Sequence, residues 1–139
     1  VGEGIGGVEG RPGGGALVSK KTFCEPAIAS VGLLEAQAAE IHGPVNITTA
    51  EFNVAGNAKS QILGTQGFVK LVSLKGGPIV GFHAIGARMG EQVGEGQLMV
   101  SWEADADDVA SLVHAHPTQN ETLGEAAMAL AGKPLHNHG

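Results

Sequence analysis

Apolar and polar positions change period along the chain. Leu33-Leu34-Glu35-Ala36-Gln37-Ala38-Ala39-Glu40-Ile41 combines good helix formers with apolar residues at helical spacing, and His42-Gly43-Pro44 ends the run. Before it, Thr22 to Val31 reads as a strand interrupted by Pro26, which removes a ladder donor and belongs at an edge or bulge. Three strand-like runs follow the helix: Val45 to Val54, Gly67 to Leu74 and Ile79 to Ile85. Gly76-Gly77-Pro78 predicts a hairpin turn between the last two, and antiparallel pairing is the simplest outcome. From Met89 the period becomes helical. Met89 to Trp102 forms one run, and Asp105 to Val113 opens with acids suited to a helix N-terminus, with Val109, Leu112 and Val113 on one side. Thr118 to Ala131 carries a stripe of Leu123, Ala126, Ala127 and Leu130 and stops at Gly132. The order predicts an α+β fold, an antiparallel sheet with helices packed on one side.

Composition narrows the class. A chain of 139 residues makes one ordinary domain and buries roughly two thirds of its extended surface. With no Tyr, one Trp and four Phe, the core must be mainly aliphatic. The net charge of -6 and the scattered basic residues speak against nucleic acid or an anionic membrane as partner. No apolar run reaches the ~18 residues of a membrane span. A single cysteine cannot form an internal disulfide, and a cytoplasmic setting is expected. Residues 1–19 are glycine-rich and read as a linker. Gly2-Glu3-Gly4-Ile5-Gly6-Gly7 matches G-x-G-x-x-G but has no strand before it, so it does not read as a dinucleotide site.

The chemistry gathers in His114-Ala115-His116-Pro117-Thr118-Gln119-Asn120-Glu121. A histidine beside a carboxylate equips a general base: the ring takes the proton, and the acid fixes its tautomer. Thr118 to Glu121 also reads as a capping box, the Thr oxygen capping the Glu amide and the Glu reaching back. His114 and His116 form an H-x-H pair, as do His136 and His138. Zinc ligation would suit a strand, which Pro117 and the helical flanks disfavour. His83, in a strand, reads as a structural histidine, and His42 as a partner for a helix C-terminus. Cys24 stands beside Glu25, which raises a thiol pKa, so it reads as a small semi-buried residue and not a nucleophile.

At these residues the chain resembles a known family. His114-Ala115-His116-Pro117-Thr118-x-x-Glu121 looks like the C-terminal motif of the dihydrolipoamide dehydrogenases, within the pyridine nucleotide-disulfide oxidoreductase family. Phe23-Cys24-Glu25-Pro26-Ala27-Ile28-Ala29-Ser30-Val31-Gly32-Leu33-x-Glu35-x-Gln37-Ala38 resembles the first strand and helix of that family's interface domain. Asn57-Ala58-Lys59, Gly67-Phe68-Val69-Lys70-Leu71-Val72 and Gly81-x-His83-x-Ile85-Gly86 resemble its sheet, and Gly90-Glu91-x-Val93-x-Glu95-Gly96 its next helix. The pieces fall in order over residues 20–139 and are most similar to an actinobacterial type.

The resemblance implies that residues 1–19 are the end of a preceding nucleotide-binding domain with a linker, and that 20–139 form the dimerisation domain. It implies a homodimer, built from the last two helices and the sheet, that oxidises protein-bound dihydrolipoamide and passes electrons through a disulfide and FAD to NAD. His116 would be the base and Glu121 its partner. The His116–Pro117 backbone would face the flavin of the partner subunit, no metal would be needed, and FAD and NAD would be held mainly by domains absent from this chain. The lipoyl domain and the acyltransferase core of a 2-oxo acid dehydrogenase complex would be its partners. The redox cysteine pair is also absent, so the chain alone is not expected to be active. Gly13-Gly14-Gly15 stands where the family has a more structured approach. A glutathione reductase-like enzyme shares His-Pro-Thr and the Glu, and a non-catalytic dimerisation or docking module is the alternative of another class. The family also carries a cis His–Pro bond, which shortens the Cα–Cα step to ~2.9 Å and tightens the turn before the last helix, so His116–Pro117 is expected to be cis.

Overall fold

The structure is a computed structural model that describes residues 20–22 and 27–133. The readings of residues 1–19, Cys24, Pro26, His136 and His138 lie outside the described residues. Five antiparallel strands form one sheet in the order β1-β2-β5-β4-β3. They are β1 (Lys20–Thr22), β2 (Ala27–Gly32), β3 (Ile47–Asn53), β4 (Phe68–Leu74) and β5 (Ile79–Gly86). Helix α1 (Glu35–His42) follows β2, and α2 (Ala58–Leu63) lies between β3 and β4. After the sheet come α3 (Val93–Ser101), α4 (Ala106–Ala110) and α5 (Glu121–Leu130). The α+β class holds, and the β4–β5 hairpin forms where Gly76-Gly77-Pro78 predicts it.

Several expectations are corrected. The single strand over Thr22 to Val31 is two strands, since Lys20, Lys21 and Thr22 pair with Ser30, Ala29 and Ile28. The match of Asn57-Ala58-Lys59 to the sheet fails: Asn57 is the cap of α2, its side chain accepting from the Ser60 amide at 3.1 Å. A six-residue helix is too short to show a period, although its Asn cap and the left-handed Gly64 after it are ordinary start and stop signals. α4 ends at Ala110, so only Val109 of its expected apolar side is buried, while Leu112 and Val113 are exposed.

The sheet has two unlike faces, because successive side chains point to opposite sides. Register places Ala29, Ala84, Val69 and Phe52 in one row, and Val31, Phe82, Leu71 and Ala50 in another. These rows face α3 and α5, where Met99, Val100, Leu123, Ala126 and Ala127 complete the core. The other face carries Ser30, His83 and Lys70 in line, and α1 lies over it, tied by Lys70 Nζ to Glu35 Oε2 at 2.5 Å. His83 is structural, as expected. Its Nε2–H donates to the Leu33 carbonyl at 2.8 Å, and Nδ1 accepts from the Ser30 hydroxyl at 2.6 Å. Burial lowers its pKa, and Lys70 adds to this, against the raising effect of the Leu33 hydrogen bond.

α3 approaches the sheet closely through Gly96, where a Cβ would stand 2.4 Å from Cδ1 of the fully buried Phe82. Gly96→Ala should therefore destabilise the protein by about 1–3 kcal/mol, the usual cost of overpacking a well-filled core. Urea unfolding measures this, and an unchanged midpoint would mean that the Phe82 ring yields freely.

Candidate active site

The loop from Ser111 to Asn120 has no regular structure of its own, so where it turns inward, at Thr118 and Gln119, its backbone carbonyls need partners from elsewhere. Side chains from α2, the turn before α3 and the start of α5 supply them. Asn57 Nδ2 donates to the Thr118 carbonyl at 3.0 Å. Gln92 Nε2, from the 3-10 turn Met89–Gln92, and Thr122 Oγ1 both donate to the Gln119 carbonyl, at 2.9 and 2.5 Å. Ser60 Oγ donates to Gln119 Oε1 at 2.9 Å. All five side chains are buried, and a buried polar group must be paired to avoid a desolvation cost of ~1–3 kcal/mol. Hydrophobic patterning does not reveal these residues, because they interrupt it. Asn57 and Gln92 carry no signal that links them to a turn at 118.

Above this polar base the His116–Pro117 peptide is cis, as expected. His116 Nδ1–H donates to Glu121 Oε1 at 2.8 Å. Glu121 uses its second oxygen, Oε2, to accept the Thr118 amide at 2.8 Å. The capping-box reading is therefore half right. The Thr118 hydroxyl donates to the Ala115 carbonyl at 2.6 Å and does not cap the helix, which starts at Glu121 with Asn120 before it. The His116 side chain is 70% exposed, and its Nε2 has no hydrogen bond among the described residues. Burial pushes the Glu121 carboxyl up, but the Thr118 amide and the His116 ring that donate to it outweigh this. Together with the nearby charges of His116 and His114 they hold it below its ordinary value.

The first histidine of the pair points elsewhere. His114 Nε2–H donates to Glu95 Oε1 on α3 at 2.7 Å, with its side chain only 12% exposed. The bond to Glu95 raises the His114 pKa against the opposing effect of burial, and the charges of Glu95 and Glu121 add to the rise. The two rings thus serve separate carboxylates. Among the described residues no group of three His, Cys, Asp or Glu side chains comes together to hold a metal ion, and no helix is long and apolar enough to cross a membrane.

This sheet-and-helix architecture, closed by a histidine turn, is that of a disulfide oxidoreductase interface module. The chain belongs to the family of the pyridine nucleotide-disulphide oxidoreductase dimerisation domain, whose model matches residues 18–127. It is 38% identical over 118 residues to the dihydrolipoyl dehydrogenase of Mycobacterium leprae, covering 84% of this chain and 25% of that protein. It is 39% identical over 116 residues to the dihydrolipoyl dehydrogenase of Bacillus subtilis, covering 82% of this chain and 24% of that protein. The chain thus spans about a quarter of the length of these relatives. Its fold is similar to that of LpdA from Mycobacterium tuberculosis, with TM-score 0.78 and 22% identity over 89% of this chain and 27% of that one. It is also similar to that of the HOCl-induced flavoprotein disulfide reductase RclA from Escherichia coli, with TM-score 0.74 and 19% identity over 90% of this chain and 29% of that one.

The His114–Glu95 pair has a pH signature. A folded-state pKa above the unfolded value of 6.5 means that the charged ring stabilises the fold. That contribution is present in full below pH 6.5 and is lost as pH rises through the raised folded value. The stability difference between the natural protein and Glu95→Gln should accordingly be larger at pH 6 than at pH 8.5. Denaturant unfolding at the two pH values checks this; a difference that grows with pH would be inconsistent with a charged His114.

Proposed function

We propose that this chain is the C-terminal interface domain of a flavin-dependent dihydrolipoamide dehydrogenase. On this reading it supplies the base that acts on dihydrolipoamide across a homodimer. The observation that carries the reading is the His116–Glu121 pair: Nδ1–H is fixed on a carboxylate and Nε2 is open to solvent. A neutral imidazole so held can only take a proton at Nε2. The thiolate, not the thiol, attacks a disulfide. His116 removes a thiol proton from the substrate at Nε2, and Glu121 stabilises the charged ring that results. The relatives' name, dihydrolipoyl dehydrogenase, supports the choice of substrate, as does His114-Ala115 before the motif.

The electron carriers, FAD and NAD, belong mainly to domains beyond this chain. The chemistry a bound flavin would supply is relay of the electron pair to NAD from the redox disulfide that the substrate dithiol reduces. The residues present here fit a neighbouring flavin in one respect. The His116 carbonyl accepts no hydrogen bond among the described residues and sits on an exposed turn, so with Pro117 it is free to meet a ring from the partner subunit. Lipoyl domains and the acyltransferase core of a 2-oxo acid dehydrogenase complex are the partners this reading implies, in a cytoplasmic setting.

Homodimer formation gives a role to apolar side chains that the single chain leaves bare. Leu98 on α3 and Trp102, the residue that ends it one turn later, are 51% and 76% exposed, and Val113 beside the site is 97% exposed. Replacing Trp102 with Glu should weaken the dimer by about 2 kcal/mol or more if the ring is a central anchor. Sedimentation of the full-length protein measures it, and an unaffected dimer would move the interface off α3.

In the full-length flavoprotein, His116→Gln should lower dihydrolipoamide oxidation by at least ~10²–10⁴-fold, the range of general-base catalysis, while flavin content is retained. Glu121→Gln should do less harm, because an amide oxygen still accepts from Nδ1–H. Near-normal turnover of His116→Gln at neutral pH would remove His116 from the mechanism.

A further inference from the structure

The H-x-H motif contains one histidine that the proposed chemistry does not use. His114 is nearly enclosed, whereas His116, two residues on, is open. Its ring is fixed on two sides by different elements. Nε2 is bound to Glu95 on α3 at 2.7 Å. The opposite edge lies against α5 at Gly124, where a Cβ would stand 2.8 Å from Nδ1 and 3.1 Å from Cε1. Gly124 is three residues after Glu121, so the ring rests on the same side of α5 as the carboxylate that holds His116. Any larger residue at 124 would collide with the ring.

The loop is thus fastened on both sides of His116. At the far end, Thr118 is bonded through its carbonyl to Asn57 and through its amide to Glu121. At the near end, Val113 is almost fully exposed and Ala115 is exposed, so the His114 side chain is the anchor. A base displaced by about 1 Å loses ~10²-fold in rate. An exposed ion pair would be worth little, but this one is largely covered and has a glycine matched to it.

We propose that His114 is a positioning residue for the His116–Glu121 pair, its ring clamped between Glu95 and Gly124 so that the loop presents His116 in one direction. The assignment rests on the reading of His116 given above.

Three variants of the full-length holoprotein test it. His114→Ala removes the clamp. Gly124→Ala pushes on the ring without touching His116 or Glu121. His114→Gln keeps an N–H close to the place of Nε2, and so a donor for Glu95. The first two should lower dihydrolipoamide oxidation by ~10-fold or more, while electron transfer from NADH to ferricyanide, which needs no thiol proton, stays within twofold. His114→Gln should recover most of the loss. Full turnover in His114→Ala would overturn the proposal. So would equal loss of both activities, or a His114→Gln variant as poor as Ala. The ¹⁵N resonances of the His116 ring give a readout independent of turnover. The hydrogen-bonded Nδ1–H signal should be present in the natural protein and in His114→Gln, and averaged toward that of a free imidazole in His114→Ala; an unchanged signal in His114→Ala would also overturn the clamp. If the natural protein does not oxidise dihydrolipoamide, the functional reading fails, and the ring resonances alone decide the role of His114.

Discussion

The structure depends on one contact surface, the apolar face of the sheet against α3 and α5. Phe82 lies at its centre, fully buried on β5, with Leu71 and Val31 beside it in register on the neighbouring strands. A chain with few aromatic residues has little bulk for filling space, so its layers must come close. Gly96 permits this by letting the backbone of α3 ride directly on the Phe82 ring. The residues that meet the two histidines are attached to this pair of layers: Glu95 is next to Gly96 on α3, and Glu121 and Gly124 lie in the first turn of α5.

A second layer of organisation is polar and buried. Asn57, Ser60, Gln92, Gln119 and Thr122 are buried together, and apolar side chains in their place would strip the Thr118 carbonyl of the Asn57 amide and leave the Gln119 carbonyl only its backbone partner, the Thr122 amide. Hydrogen bonds are directional, whereas apolar packing is not. The network therefore fixes the path of the loop that carries the His116–Glu121 pair.

What could be read in the chain beforehand follows this division. The strands β3, β4 and β5 and the helices α3 and α5 show their period because each packs one face on the core, whereas α1 is legible from its helix formers and its Gly43-Pro44 stop and buries only Ala38. α2 is too short at six residues to show a period, and the run from Asp105 to Val113 predicts a longer α4 than forms, because Leu112 and Val113 resemble core residues but project outward. At the site, the pairing of His116 with Glu121 and the cis turn were legible from the motif. The different task of His114 was not, since spacing says that two rings are close in sequence but not which carboxylate each will meet. Thr118 shows the same limit: its hydroxyl had two acceptable uses, and the tight turn brought the Ala115 carbonyl nearer than the helix amides.

The strand order has a kinetic meaning. β4 and β5 are joined by a short turn and β3 meets β4 across α2, so these three strands assemble from near neighbours in sequence. β2 instead pairs with β5, Ala27 opposite Gly86 and Gly32 opposite Gly81, across the whole intervening segment. Closing that loop costs chain entropy before any of its ladder bonds is gained. The meander β3-β4-β5 is thus the natural nucleus of the sheet, and β2, carrying β1 on its outer edge, joins the sheet after it.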